Sequence, residues 1–95
     1  MFRDARMSGA RPEAAGVGLL TLDELDVDLD AQVKALRLEE AELDWVRAVG
    51  IFEGERLLVL RRAAFGGPLH VRTRSGGEFA LDRRLAAKIV VEKAG

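Results

Sequence analysis

His70 is the only histidine of the chain and cysteine is absent, so the side chains that most often carry metal or nucleophilic chemistry reduce to a single imidazole. A transition-metal site needs several histidine, cysteine or carboxylate ligands at short spacing, and no such constellation is present. His70 therefore reads as an exposed strand histidine; the competing reading is a metal shared with carboxylates at a contact between copies. Nucleophilic catalysis fails on the same count. Ser8 and Ser75 stand in glycine-flanked segments expected to be flexible, with no base and no orienting group around them. The glycine pairs Gly66-Gly67 and Gly76-Gly77 lack the Lys-Ser/Thr of a phosphate loop, and neither opens a helix of useful length. The residues imply that the chain is not an enzyme.

Asp26-Val27-Asp28-Leu29-Asp30 begins like a calcium loop. Counted from Asp26, however, the sixth position is Ala31 where that loop needs glycine, and the twelfth is Arg37 where it needs glutamate. The motif fails at both diagnostic places. Arg61, Arg62, Arg72, Arg74, Arg83 and Arg84 raise the question of nucleic acid, which also needs aromatic rings for stacking. Only Phe65 and Phe79 lie nearby, tyrosine is absent and the isoelectric point is near 5.8, so nucleic acid is not expected. Trp45 falls about 100 degrees from the centre of the Leu43-Val46-Val49 helical face, at the core boundary. Two readings stay open for it, packing along the rim of the domain and an exposed anchor for a partner. Phe52, in the turn after that helix, is a second candidate anchor.

Ninety-five residues make one domain, because a second core would leave neither half enough buried apolar area. The lack of cysteine fits a reducing compartment. No apolar run approaches the ~20 residues that span a bilayer, and Met1-Phe2-Arg3-Asp4-Ala5-Arg6 lacks the apolar centre of a signal peptide. A soluble, cytoplasmic protein is expected. The net charge of -1 conceals a division. Residues 19–55 carry eleven acids against Lys34, Arg37 and Arg47, a net of -8; residues 56–95 carry nine bases against Glu78, Asp82 and Glu92, a net of +6. Either the two sets are solvated faces that partly neutralise each other on folding, or they make a dipolar surface that orients a partner.

The elements that must hold these residues follow from periodicity and turn chemistry. Residues 1–18 mix Gly9, Pro12, Gly16 and Gly18 with charges and show neither period, which predicts a flexible leader. Thr21 with Glu24 three residues on predicts a capping box, with Leu22 and Leu25 turned to the core. From Asp30, the alternation through Ala31, Val33 and Ala35 predicts the first strand, one face in water. Glu39 to Val49 predicts a helix with acids in its first turn and Gly50 as a left-handed C-cap. Glu55 to Arg62 predicts a central strand, Leu57, Val59 and Arg61 pointing one way and Leu58, Leu60 and Arg62 the other. Gly66-Gly67-Pro68 predicts a turn, Leu69 to Arg74 a strand, and Ser75-Gly76-Gly77 a tight hairpin into Glu78 to Leu81. Asp82 predicts a cap for a helical turn over 83–86, and Lys88 to Glu92 the closing strand. The sum is a mainly β protein, a small, partly open SH3-like barrel of about five strands with one inserted α-helix and short helical turns.

Val49-Gly50-Ile51, Gly54, Gly66-Gly67-Pro68-Leu69, Phe79-Ala80-Leu81 and Ala86-Ala87-Lys88-Ile89 follow one another at close spacing, with Leu20-Thr21-Leu22-Asp23-Glu24-Leu25 ahead of them. In this order and without insertion they resemble the FeoA family over about four-fifths of the chain. Where that family commonly has a turn glycine this chain has Asp28, and aspartate tolerates the same left-handed backbone. Where the family often has proline before the next glycine, this chain has Glu53. The resemblance implies an SH3-like domain over 19–95 and a non-enzymatic accessory or regulatory role in bacterial ferrous-iron uptake. It also implies binding to the cytoplasmic GTPase domain or loops of a FeoB-like membrane transporter. No cofactor and no evident iron site go with it here. The partner-binding residues expected on that basis are Trp45, next in space to Arg47 or Phe52, with Arg61 and Arg62 steering association. The alternative is a small metal- or ligand-sensing module like the SH3-like domains of iron-dependent repressors, although the chain has no room for a DNA-reading helix pair. A homodimer stays open, and no insertion into a membrane is expected.

Overall fold

The computed structural model describes residues 18–94. The leader expected over residues 1–18 lies, apart from Gly18, outside the described residues. Along the chain come β1 (Leu19–Thr21), a 3-10 turn (Leu22–Glu24), β2 (Asp30–Leu36), α1 (Glu40–Ala48), β3 (Arg56–Arg62), β4 (Leu69–Thr73), β5 (Glu78–Leu81), α2 (Arg83–Ala86) and β6 (Ile89–Lys93). The strands form one six-stranded sheet in the order β1-β6-β2-β3-β4-β5, every neighbour antiparallel. The mainly β, partly open SH3-like architecture is therefore as expected.

Among the described residues six strands stand where about five were expected, and Asp30 opens the second of them. The addition is β1, which pairs Leu19, Leu20 and Thr21 with Glu92, Val91 and Val90 of β6. Three residues are too few to show alternation, so only the distant partner strand defines β1. Thr21 then ends the strand and starts the 3-10 turn: the Glu24 carboxylate accepts from the Thr21 N–H at 3.1 Å, as the spacing predicts. Leu22 and Leu25 are fully buried.

Helix α1 stops by a Schellman motif. Ile51 N–H donates to Val46 O at 2.8 Å and Gly50 N–H to Arg47 O at 3.1 Å, while Gly50 takes φ +103°. Val46 and Ile51 are both fully buried, so the cap also fastens one end of the helix to the core. That core is aliphatic, with Leu22, Leu25, Ile51, Leu57, Leu69, Leu81 and Ile89 as its largest members.

A bulge between Val59 and Arg61 changes the reading of β3. Leu57 and Val59 share one face as expected, and that face is the core side, but the extra residue reverses the alternation beyond them. Arg61 is exposed, and Arg62, opposite the buried Leu69, turns inward. The expected grouping of Arg61 with Leu57 and Val59 is thus incorrect. The central position of β3, between β2 and β4, is as expected.

Candidate functional site

Helix α1 carries Trp45 on the edge of its buried face. The indole is 43% exposed and meets Phe79 of β5 edge-to-face, with ring centroids 6.3 Å apart and planes at 85°. The ring thus packs against the rim on one side, with the remainder in water. Beside it opens a groove of about 520 Å³ between α1 and α2, lined by Ala41, Glu42, Trp45, Asp82, Arg84, Leu85 and Lys88. Its polar rim is held in place. Glu42 accepts from the Glu39 N–H at 3.1 Å and from Lys88 Nζ at 3.4 Å, while Asp82 caps α2 by accepting from the Arg84 N–H at 2.7 Å. Trp45 and Leu85 supply an apolar surface between fixed charges.

Arg47 and Phe52 do not join this groove. Two residues along a helix turn by about 200 degrees, which carries Arg47 away from Trp45. Arg47 instead lies 3.6 Å from Glu53, both side chains about half exposed, a geometry that contributes little stability. Phe52 is 45% exposed in the turn after α1. The expected neighbourhood of Trp45 is thus corrected: its aromatic partner is Phe79, from a strand more than thirty residues away.

The two arginines of β3 have different tasks. Arg62 Nη1 donates to Leu25 O at 2.7 Å and Nη2 donates to Asp23 O, so this guanidinium fastens the 3-10 turn to the central strand. Arg61 remains at the surface opposite His70, with no ion pair among the described residues. His70 is half-buried, Nε2 lying 3.7 Å from Glu78 Oε1, and Arg72 Nε approaches the other oxygen of Glu78 at 3.3 Å. Among the described residues no three histidine, cysteine, aspartate or glutamate side chains gather as a metal site. Asp28 takes φ +69°, and its N–H donates to Val59 O at 2.8 Å, which is the turn role expected of it.

Ser75 is not the loose loop serine the sequence suggests. Its Oγ donates to Glu55 Oε2 at 2.9 Å and lies 3.1 Å from Thr73 Oγ1, which in turn accepts from the Gly77 N–H at 3.2 Å. Glu55, only 8% exposed, also accepts from the Arg56 N–H at 2.9 Å. Sequence reasoning missed this network because its buried acceptor, Glu55, lies twenty residues before Ser75. The network ties the β4–β5 hairpin to the start of β3. Ser8 lies outside the described residues.

Phe65 was also missed as a candidate anchor. It is fully exposed at the tip of the β3–β4 loop and has φ +58°. A left-handed backbone costs a non-glycine residue about 1–2 kcal/mol, and this ring gains no burial in return. The signal lay in the Gly66-Gly67-Pro68 that follows, which marks a tight turn with its preceding residue at the tip.

Among the described residues only Lys34–Glu92 and Glu42–Lys88, each at 3.4 Å, pair one half with the other. The remaining ion pairs are local, such as Arg47–Glu53, Arg72–Glu78 and Asp82–Arg84. Among the described residues no helix is long and apolar enough to cross a membrane.

Among solved structures, the chain is similar to a FeoA protein from Chlorobium tepidum, with 29% identity over 80% of this chain and 71% of that one and a TM-score of 0.75. A FeoA-like protein from Clostridium acetobutylicum shares the fold at 23% identity, covering 83% of this chain and 91% of that one, with a TM-score of 0.72. A manganese-dependent transcriptional repressor matches at 25% identity and a TM-score of 0.75 over 80% of this chain, which spans only 37% of the repressor. No curated protein matches. The FeoA domain pattern covers residues 20–93, from β1 to the last residue of β6, and the chain accordingly belongs to the FeoA domain family, which is associated with ferrous-iron transport.

Proposed function

We propose that this protein is a non-enzymatic, cytoplasmic accessory of ferrous-iron uptake that binds the cytoplasmic part of a FeoB-like transporter through the groove beside Trp45. The observation that carries this reading is the half-exposed indole, steadied by Phe79 and bordered by Leu85 and fixed charges. Interface hot spots combine an aromatic anchor with a polar rim, and rim charges act mainly on association. Arg61 is exposed and without an ion pair among the described residues, so it can act as a steering charge, whereas Arg62 is occupied in the fold.

The test is binding of the purified protein to the soluble cytoplasmic domain of the cognate transporter. Trp45→Ala should weaken binding by roughly 2 kcal/mol or more. It should cost folding less than the ~3–5 kcal/mol of a fully buried tryptophan, because close to half of the ring is already in water. Unchanged binding by a folded Trp45→Ala variant sinks the assignment. The likeness to a domain of a manganese-dependent repressor favours a second reading, a metal- or ligand-sensing module. That reading requires tight metal binding lost on His70→Ala; weak, salt-sensitive binding unaffected by the substitution excludes it.

A further inference from the structure

The solvent face of the sheet holds two arginines against each other. Leu57 of β3 lies opposite Thr73 of β4 and both are buried, so their neighbours Arg56 and Arg74 project from the other side of the ladder. Continuing the register by one residue sets Arg56 directly across from Arg74, and the Arg74 N–H donates to Arg56 O at 2.8 Å. Residues so opposed have Cβ atoms about 5 Å apart, and like charges in that arrangement are destabilising.

No carboxylate relieves the pair. Among the described residues neither Arg56 nor Arg74 makes an ion pair. Glu55, beside Arg56 in sequence, is turned to the buried side, where its two oxygens accept from the Arg56 N–H and from Ser75 Oγ. That contact fastens the hairpin carrying Arg74 to the strand carrying Arg56, so both positions are fixed before any ligand arrives.

Around the pair opens a hollow of about 440 Å³ whose walls include Asp30, Leu58 and Arg72. Arg72 is already engaged, its Nε 3.3 Å from Glu78. Asp30 stands across from Leu58, one row away from the arginine pair, and makes no ion pair among the described residues. The hollow therefore sets two uncompensated guanidiniums at one end and a half-buried leucine beside one carboxylate at the other. Guanidinium forks match the oxygens of phosphate and carboxylate. A phosphate monoester carries up to two charges and can neutralise both arginines, whereas a carboxylate neutralises one. Asp30 repels a second anionic group, so the far end of the ligand is uncharged.

We infer that Arg56 and Arg74 form a binding site for a phosphate monoester whose uncharged remainder lies over Leu58. The phosphate is that of a soluble ester or of a lipid headgroup. The inference goes beyond the transporter reading and does not depend on it, since the hollow shares no residue with the groove beside Trp45.

The test is an NMR titration of the full chain with glycerol phosphate at constant ionic strength and about pH 8, where the monoester is doubly charged. Saturable shifts are expected in the amides around Arg56 and Arg74. Arg56→Gln and Arg74→Gln should each weaken binding by roughly ten-fold or more. Asp30→Asn should strengthen it, and Arg61→Gln, outside the hollow, should leave it unchanged. Without ligand, both arginine variants should melt no lower than the parent, because each removes one member of a like-charge pair. Shifts that chloride reproduces, equal losses at Arg61, or binding that survives both arginine substitutions overturn the inference. Cosedimentation with vesicles containing phosphatidic acid separates the two sources. Capture that glycerol phosphate competes away and Arg56→Gln abolishes identifies a lipid headgroup; binding of glycerol phosphate without capture identifies a soluble ester. Vesicle capture that glycerol phosphate does not compete away, or no binding in either assay, refutes the site.

Discussion

Replacing Arg62 with methionine removes a charge while keeping an unbranched apolar stem of similar length, and it tests the bulge in β3 directly. In the native fold the guanidinium donates to Leu25 O at 2.7 Å and to Asp23 O, spanning 37 and 39 residues of chain. Hydrogen bonds to a charged group contribute about 1.5–3 kcal/mol each when buried. Here they are part-buried, and water can reach the carbonyl of half-buried Asp23 once the guanidinium is gone, whereas Leu25 is fully buried. One bond is then largely lost and the other largely replaced, which gives about 2 kcal/mol for Arg62→Met. For a domain of this size that corresponds to a fall in Tm of roughly 8–16 °C. Arg61→Met is the internal control, because Arg61 is exposed and unpaired among the described residues and should change stability by less than about 0.5 kcal/mol. Urea denaturation of parent and both variants measures the difference. Equal effects of the two substitutions, or a larger effect at Arg61, would refute the bulge and the inward turn of Arg62 together. The result also governs any charge-reversal experiment on partner binding: reversing Arg61 changes steering alone, whereas reversing Arg62 damages the fold.

Gly50→Val should destabilise by about 2 kcal/mol or more, because a β-branched residue is forced to φ +103° at the end of α1; the nearest atoms to its Cβ are 3.8 Å away, so the cost is conformational and Gly50→Asn should recover much of it in thermal melts. Ser75→Ala should cost about 1–2 kcal/mol by leaving one oxygen of buried Glu55 without its donor. Its companion Glu55→Gln should cost less, since the amide oxygen still accepts from the Arg56 N–H while the amide NH2 can donate to Ser75 Oγ; chemical denaturation of the pair checks that order.

Local chemistry was legible along most of the chain. The Thr21–Glu24 cap, the Gly50 stop and the Asp82 cap each rest on residues within a few positions of one another, so composition and spacing suffice to define them, whereas the left-handed Asp28 was expected from the family resemblance. The alternation of Leu69, Val71 and Thr73 and the Ser75-Gly76-Gly77 hairpin were readable for the same reason, and with them the mainly β class. What the sequence could not determine depends on partners far away in the chain. β1 exists because β6 supplies its ladder, and one inserted residue at the β3 bulge decides which arginine turns inward. Trp45 meets Phe79, Ser75 meets Glu55 and Phe65 is left in solvent only once the sheet has brought those segments to their places. Side-chain periodicity records which residues prefer burial. Register and bulges, which decide what each of them touches, are set by the packing of the whole sheet.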